Sequence, residues 1–300
     1  MTISTLFLDE TNTLRSGWRL LCYLAALLFF GGLFGLAAGV ILQRFDLIGQ
    51  TISLAVLVAN GLVLIFAGLA AGWLCGRAFE KIRFRELGAW LSLKTPLHIV
   101  LGLTAGAATL TIAIGIAYTF GGMDFVRHPD HARNAVLLTM ATSALFFAFA
   151  AAGEEVVFRG YMLQTFIRSD LAWVGILVSS ILFATVHNTN PGATLFSWTN
   201  TFIAGIWFAV AYMKTRELWF VTAIHFMWNW MQGAFFGIEV SGLRELISAS
   251  YLMEQDHGPA WLTGGDYGIE GGLAATIALI ASTVVIYYLP NLNKRSEPLA

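Results

Sequence analysis

Residues Leu171–Met213 read LAWVGILVSSILFATVHNTNPGATLFSWTNTFIAGIWFAVAYM and contain no Asp, Glu, Lys or Arg. About 20 apolar residues cross a bilayer, so this stretch of 43 residues is long enough for two crossings. The turn-forming residues Asn188–Gly192 fall near its middle and predict the reversal between the two crossings. The stretch therefore predicts a pair of membrane-spanning helices.

The rest of the chain repeats this pattern. Six further uncharged runs are Leu20–Gln43, Leu47–Gly76, Thr95–Met123, Asn134–Gly153, Leu218–Ile238 and Gly271–Asn293. Hydrophobic residues make up 57% of the chain and charged residues 12%, whereas a soluble domain carries about 25% charged residues. We therefore predict an all-α polytopic membrane protein with about eight transmembrane helices, forming a single membrane domain over residues 1–300.

The basic residues predict the orientation of these helices, because Lys and Arg accumulate in cytoplasmic loops. With the N-terminus inside, the outer segments hold only four of the 17 basic residues, Arg44, Arg127, Arg133 and Arg244. Both termini are therefore expected in the cytoplasm. A net charge of −1 argues against a nucleic-acid partner, and the two isolated cysteines form no CxxC metal motif.

A basic segment lies between the second and third predicted helices. Arg77, Lys81, Arg83 and Arg85 alternate there with apolar side chains. This pattern is typical of an amphipathic helix on the surface of an anionic leaflet. The segment predicts a helix that contacts the lipid bilayer on its inner side.

Two adjacent carboxylates, Glu154 and Glu155, end the fourth apolar run. Charges at the edge of a membrane span are costly and require partners. Arg159 follows Glu155 by four residues and can pair with it on one helical face. Glu154 projects about 100° away, and we expect it to face a cavity.

Two histidines lie in the apolar helices that follow. Counted from the expected turn near Asp170, Glu154 and His187 stand at about the same depth, roughly 24–26 Å from the turn. A carboxylate and an imidazole can then meet. The later helix carries His225 and, four residues on, Asn229. So many polar groups in three helices predict a buried polar site that water can enter.

Two kinds of chemistry fit these residue types. Glu154 and His187 can activate a water molecule as general base, with His225 and Asn229 donating hydrogen bonds to the oxyanion. Alternatively, Glu154, His187 and His225 can bind Zn²⁺ with water as the fourth ligand. Both kinds of chemistry predict amide hydrolysis, so the sequence leaves open whether zinc is a cofactor.

Three motifs follow one another along the chain: Glu154-Glu155-x-x-x-Arg159, Phe183-x-x-x-His187 and His225-x-x-x-Asn229. In this order they resemble the signature of the CAAX protease and bacteriocin-processing (CPBP, or Abi) intramembrane proteases. The resemblance covers residues 134–237, which it marks as a protease core. It implies an eight-helix fold with a cavity open toward the cytoplasm, and endopeptidase activity.

The resemblance also implies roles for the motif residues. Glu154 would activate water with His187 as its partner, Glu155 and Arg159 would support them, and Phe183 would belong to the second motif. The third motif would stabilise the oxyanion or hold a metal. Members are commonly labelled metalloproteases, and a metal-independent glutamate mechanism is also argued for those that cut prenylated proteins.

Bacterial members of this family imply an inner-membrane location and a peptide or protein substrate that arrives from the membrane or the cytoplasm. A second reading is a non-proteolytic membrane protein that keeps the site and binds a peptide, as in bacteriocin immunity. A third, a proton-coupled transporter, would also explain buried Glu and His. The intact set of six polar residues favours the protease.

Overall fold

The computed structural model describes residues 6–10, 12–48, 53–127, 131–243 and 247–292. The chain is mostly helical. Its α-helices are α1 (Ser16–Arg44), α2 (Leu54–Cys75), α3 (Thr95–Thr119), α4 (Arg133–Glu155), α5 (Leu163–Ile167), α6 (Ala172–Val186), α7 (Leu195–Thr215), α8 (Leu218–Trp230), α9 (Ala260–Thr263) and α10 (Leu273–Tyr288). Arg244, His128 and the basic residues Lys294 and Arg295 lie outside the described ranges.

Each of the seven apolar runs contains a helix, and Leu171–Met213 contains two. Within the described ranges, six helices are long and apolar enough to cross a membrane, namely Ser16–Arg44, Leu54–Glu80, Thr95–Thr119, Arg133–Ile167, Ala172–Thr189 and Leu195–Thr215. The other two runs hold α8 and α10, which have 13 and 16 residues. The membrane class is thus supported, and the count of eight crossings stays a prediction.

The predicted reversal inside Leu171–Met213 is confirmed. Helix α6 ends at Val186, and a 3-10 turn covers His187–Thr189. Gly192 adopts a left-handed φ of 71°. Thr194 then caps α7, because its side chain accepts a hydrogen bond from the backbone N–H of Ser197 at 3.1 Å. Local turn and capping residues are sufficient to separate these two helices.

The all-α prediction misses one short sheet. Strands β1 (Met123–Val126) and β2 (Met253–Asp256) pair antiparallel, with Phe125 opposite Glu254. The two strands are more than a hundred residues apart in the chain, and each has only four residues. So short a run carries no periodicity that distinguishes it from a loop.

The described chain divides into two compact units, residues 1–91 with 145–179 and residues 92–144 with 180–300. In the first unit, Glu80 is a buried ionic centre. Its carboxylate accepts hydrogen bonds from Arg19 Nη1 at 2.8 Å and from Arg168 Nε at 2.9 Å. Thr165 Oγ1 adds a third at 3.2 Å. This cluster joins the start of α1 and the end of α5 to Glu80, the last residue of the π-helical turn that follows α2.

The Glu80 cluster also explains why the prediction of a basic surface helix is wrong. A π-helical turn ends at Glu80, and Lys81 adopts a left-handed φ of 56°. Only a short 3-10 turn, Phe84–Leu87, follows. Because Glu80 is held by Arg19 and Arg168 and Lys81 is left-handed, the chain turns after Glu80 and the helix does not continue.

In the second unit, Asn200 of α7 holds the start of α10. The Asn200 amide donates hydrogen bonds to the carbonyl oxygens of Glu270 and Gly272 at 2.8 and 2.9 Å, and accepts one from Thr276 Oγ1 at 2.6 Å. Polar side chains that bond between helices are a common means of association in membranes. This amide joins α7 to the segment that enters α10.

Candidate active site

Two adjacent glutamates end helix α4 within the first unit. Glu155 and Arg159 are both fully buried, and Arg159 Nη1 donates a hydrogen bond to Glu155 Oε1 at 3.2 Å. Glu154 is half-buried. The ion pair expected from the i, i+4 spacing is therefore present, and the two carboxylates occupy different environments.

A π-helical segment, Val156–Met162, follows Glu155 directly. Such segments shift hydrogen bonding to i→i+5 and are frequent at functional sites. Tyr23 of α1 is fully buried, and its hydroxyl donates to the carbonyl oxygen of Val157 at 2.9 Å. A tertiary contact therefore anchors the segment that begins immediately after the glutamates.

Glycines bring α2 close to α4 just before the glutamates. A Cβ at Gly61 would lie 2.7 Å from the carbonyl carbon of Phe149, and one at Gly153 would lie 2.9 Å from the carbonyl oxygen of Gly61. No larger residue fits such contacts without a shift of the backbone. Close helix contact at small residues thus fixes the glutamate segment within the first unit.

His187 begins the 3-10 turn that follows α6, in the second unit. Its Nδ1 lies 2.7 Å from the carbonyl oxygen of Phe183. Because a carbonyl oxygen only accepts, Nδ1 carries the proton of the neutral ring and Nε2 presents its lone pair. The second motif therefore supplies an oriented acceptor nitrogen, which a base or a metal ligand requires.

His225 is buried in α8 among aromatic rings of the same unit. Its ring stacks on Phe208, with centroids 4.6 Å apart and an interplanar angle of 23°. Phe183 makes an edge-on contact with the same ring, with centroids 6.1 Å apart and an interplanar angle of 77°. Phe183 also contacts the His187 ring at 4.6 Å. The structure thus joins the second and third motifs through Phe183, and Asn229 lies one helical turn after His225.

Helix α8 packs closely on α3. A Cβ at Gly102 would lie 2.5 Å from the carbonyl oxygen of Phe220, and one at Gly106 would lie 2.4 Å from that of Ile224. The two glycines form a Gly-x-x-x-Gly pattern, which lets helix backbones touch in membranes. Since Ile224 precedes His225, this contact sets the position of the histidine helix.

We expect Gly106→Val to lower the free energy of unfolding of the detergent-solubilised protein by about 1–3 kcal/mol, because an added side chain has no room against α8. The melting temperature should fall accordingly. Gly115→Val is the matched control on the same helix, since a Cβ there has no atom within 4 Å. The measurement is the melting temperature of both variants. Equal melting temperatures would contradict the close α3–α8 contact.

Two carboxylates outside the motifs, the buried Glu217 and the half-buried Glu270, hold the ends of α8. Glu217 precedes the helix and accepts a hydrogen bond from His98 Nδ1 at 2.9 Å. Near the other end, the Trp228 indole donates to Glu270 Oε1 at 3.1 Å. Neither pair was predicted, because the partners are far apart in sequence and share no spacing that marks them. Phe208 was not predicted either, because no motif or spacing in the sequence marks it.

Comparison with known families adds the decisive observation. Residues 136–231 match the family model described as type II CAAX prenyl endopeptidase Rce1-like. The predicted family resemblance is confirmed. The matched segment runs from α4 to the residue after α8, so it includes all three motifs. No curated protein matches the chain.

At the level of the family, the match supports a CAAX-type intramembrane protease. Together with the long apolar helices, it supports an integral membrane protein. Glu154 and Glu155 belong to the first unit, and the two histidine motifs belong to the second.

Proposed function

We propose that the chain is an intramembrane endopeptidase in which Glu154 and His187 activate the water that hydrolyses a peptide bond. The observation that carries the proposal is the difference between the two glutamates. Glu155 forms a fully buried ion pair with Arg159, whereas Glu154 is half-buried. Glu155 is therefore enclosed together with its cation, and the partly exposed Glu154 is suited to proton transfer.

In the proposed reaction, water gives a proton to Glu154 while His187 Nε2 orients the same water. The hydroxide oxygen attacks the carbonyl carbon of the substrate, and the developing oxyanion accepts hydrogen bonds from His225 and Asn229. The C–N bond then breaks as the proton passes to the leaving amine. A positioned base contributes about 10²–10⁴-fold, and one oxyanion donor about 10²–10³-fold.

The proposal is tested with purified protein and a library of membrane-soluble peptides, half of them carrying a prenylated cysteine that is followed by three further residues. New peptide termini are detected by mass spectrometry, and the Glu154→Ala variant serves as the inactive control. Cleavage by the wild type alone supports the protease. Peptide binding without cleavage would instead favour the interaction-protein alternative.

Zinc is tested separately. Arg159 places a buried cation beside Glu155, which disfavours a second cation nearby. We therefore propose the metal-free reaction, in which the protein's own side chains carry the proton.

We expect a strong chelator to leave kcat/KM unchanged within experimental error. His225→Ala should lose about 10²–10³-fold and keep residual activity, because the change removes an oxyanion donor and leaves the base in place. Zinc content and peptide cleavage are measured on the same samples. Stoichiometric zinc that is lost together with activity, and restored with it, would contradict the metal-free reaction.

We further propose that the protein resides in a bacterial inner membrane with both termini in the cytoplasm. Labelling of single cysteines with an impermeant maleimide tests the orientation, in a background in which Cys22 and Cys75 are replaced by serine. Arg83→Cys should react only from the cytoplasmic side and Glu254→Cys only from the outside. Reaction of both from one side would overturn the topology.

A further inference from the structure

The ring of Phe208 covers one face of His225. The two rings are stacked at 4.6 Å, and both side chains are almost completely buried. Phe183 closes the group by edge contacts to Phe208 at 5.9 Å and to His225 at 6.1 Å. Phe208 comes from α7 and lies outside all three sequence motifs, so its contact with the histidine is a feature of the fold alone.

Phe208 is itself firmly placed. The neighbouring Trp207 is fully buried, and its indole donates a hydrogen bond to Ser282 Oγ of α10 at 2.9 Å. The Trp207 ring stacks on Phe208 at 5.0 Å and packs edge-on against Trp228 of α8 at 5.8 Å. The surface that Phe208 presents to His225 is therefore held by contacts to two other helices of the same unit.

A histidine ring needs such a surface because the torsion about its Cβ–Cγ bond is broad. Backbone position alone does not set the plane of the imidazole. A stacked aromatic neighbour favours one ring plane and resists rotation out of it. A hydrogen bond to an oxyanion requires the donor N–H to point at the oxygen, so the ring plane of His225 matters most in the transition state.

We propose that Phe208 is a positioning residue that fixes the ring plane of His225 for donation to the oxyanion. This inference rests on the proposed function, in which His225 is an oxyanion donor. Loss of the stacked ring would let the His225 ring rotate and would misalign the donor. The effect should fall on kcat, because the loss of an interaction made only in the transition state lowers kcat without raising KM.

The test uses three variants of the full-length protein with a peptide that the wild type cleaves. Phe208→Met removes the ring and nearly conserves the volume, and Phe208→Tyr keeps the ring. Phe202→Met is the matched control, since Phe202 lies on the same helix and stacks on Trp198 at 5.8 Å. Melting temperatures are recorded for all three.

Phe208→Met should lower kcat about tenfold with KM unchanged, as expected for partial loss of one oxyanion donor. Phe208→Tyr should recover most of this loss, and Phe202→Met should show none. Unchanged kcat in Phe208→Met would overturn the inference. So would an equal loss of kcat in Phe202→Met, which would indicate a general packing effect.

A second readout does not depend on activity. The Cε1 proton of His225, assigned by comparison with His225→Ala in histidine-labelled protein, should show a ring-current shift that disappears in Phe208→Met and persists in Phe208→Tyr. If the wild type cleaves no peptide, the proposed function fails and this shift still reports whether Phe208 stacks on His225. A shift that is unchanged in Phe208→Met would overturn the positioning role in either case.

Discussion

Glu154→Gln is expected to reduce peptide hydrolysis by about 10²–10⁴-fold, the contribution of a positioned general base. Glutamine has nearly the shape of glutamate but accepts no proton at neutral pH. Because Arg159 pairs with Glu155, the change leaves the buried ion pair intact. We therefore expect Glu154→Gln to yield folded protein with a near-normal melting temperature and almost no activity.

The control for this prediction is Glu86→Gln, the same chemical change at a half-buried glutamate in the short turn after α2. Initial rates and melting temperatures are measured for both variants against wild type. Full activity in Glu86→Gln together with the loss in Glu154→Gln supports Glu154 as the base. Substantial hydrolysis by Glu154→Gln would assign the base elsewhere and remove the central element of the proposed reaction.

Features that depend on local sequence could be predicted. The uncharged runs mark where helices form, because a bilayer excludes charges, and the residues from Asn188 to Gly192 mark a reversal that needs only its own turn chemistry. The Glu155–Arg159 pair was predictable for the same reason. Its spacing of four residues places both side chains on one helical face whatever the surrounding fold.

Features created by tertiary contacts could not be predicted from the sequence. The π-helical segment after Glu155 has the same residue types as an ordinary helix, and its anchor, Tyr23, lies 134 residues away from Val157. The His98–Glu217 bond joins residues 119 apart. Such partners have no periodic relationship in one sequence. The family motifs name the groups that we propose to react, and these distant contacts hold the helices that carry them.

The second large effect concerns Glu155. Its replacement by glutamine leaves the buried Arg159 guanidinium without its ion-pair partner, and breaking a buried pair by removing one member costs about 3–5 kcal/mol. The loss should be greater than for Glu154→Gln, because Glu155 is fully buried and hydrogen-bonded to Arg159, whereas Glu154 is half-buried. We expect Glu155→Gln to give a low yield of monodisperse protein and a clearly lowered melting temperature.

The double variant Glu155→Gln/Arg159→Met separates loss of charge balance from loss of shape. It removes both buried charges and keeps similar side-chain volumes, so it should recover much of the stability that Glu155→Gln loses, since replacing a buried pair by apolar groups is often nearly neutral. Melting in detergent and the monodisperse fraction are measured for both single glutamate variants and the double variant. Equal destabilisation by Glu154→Gln and Glu155→Gln, with no recovery in the double variant, would reject the assignment of Glu155 to structure and Glu154 to chemistry.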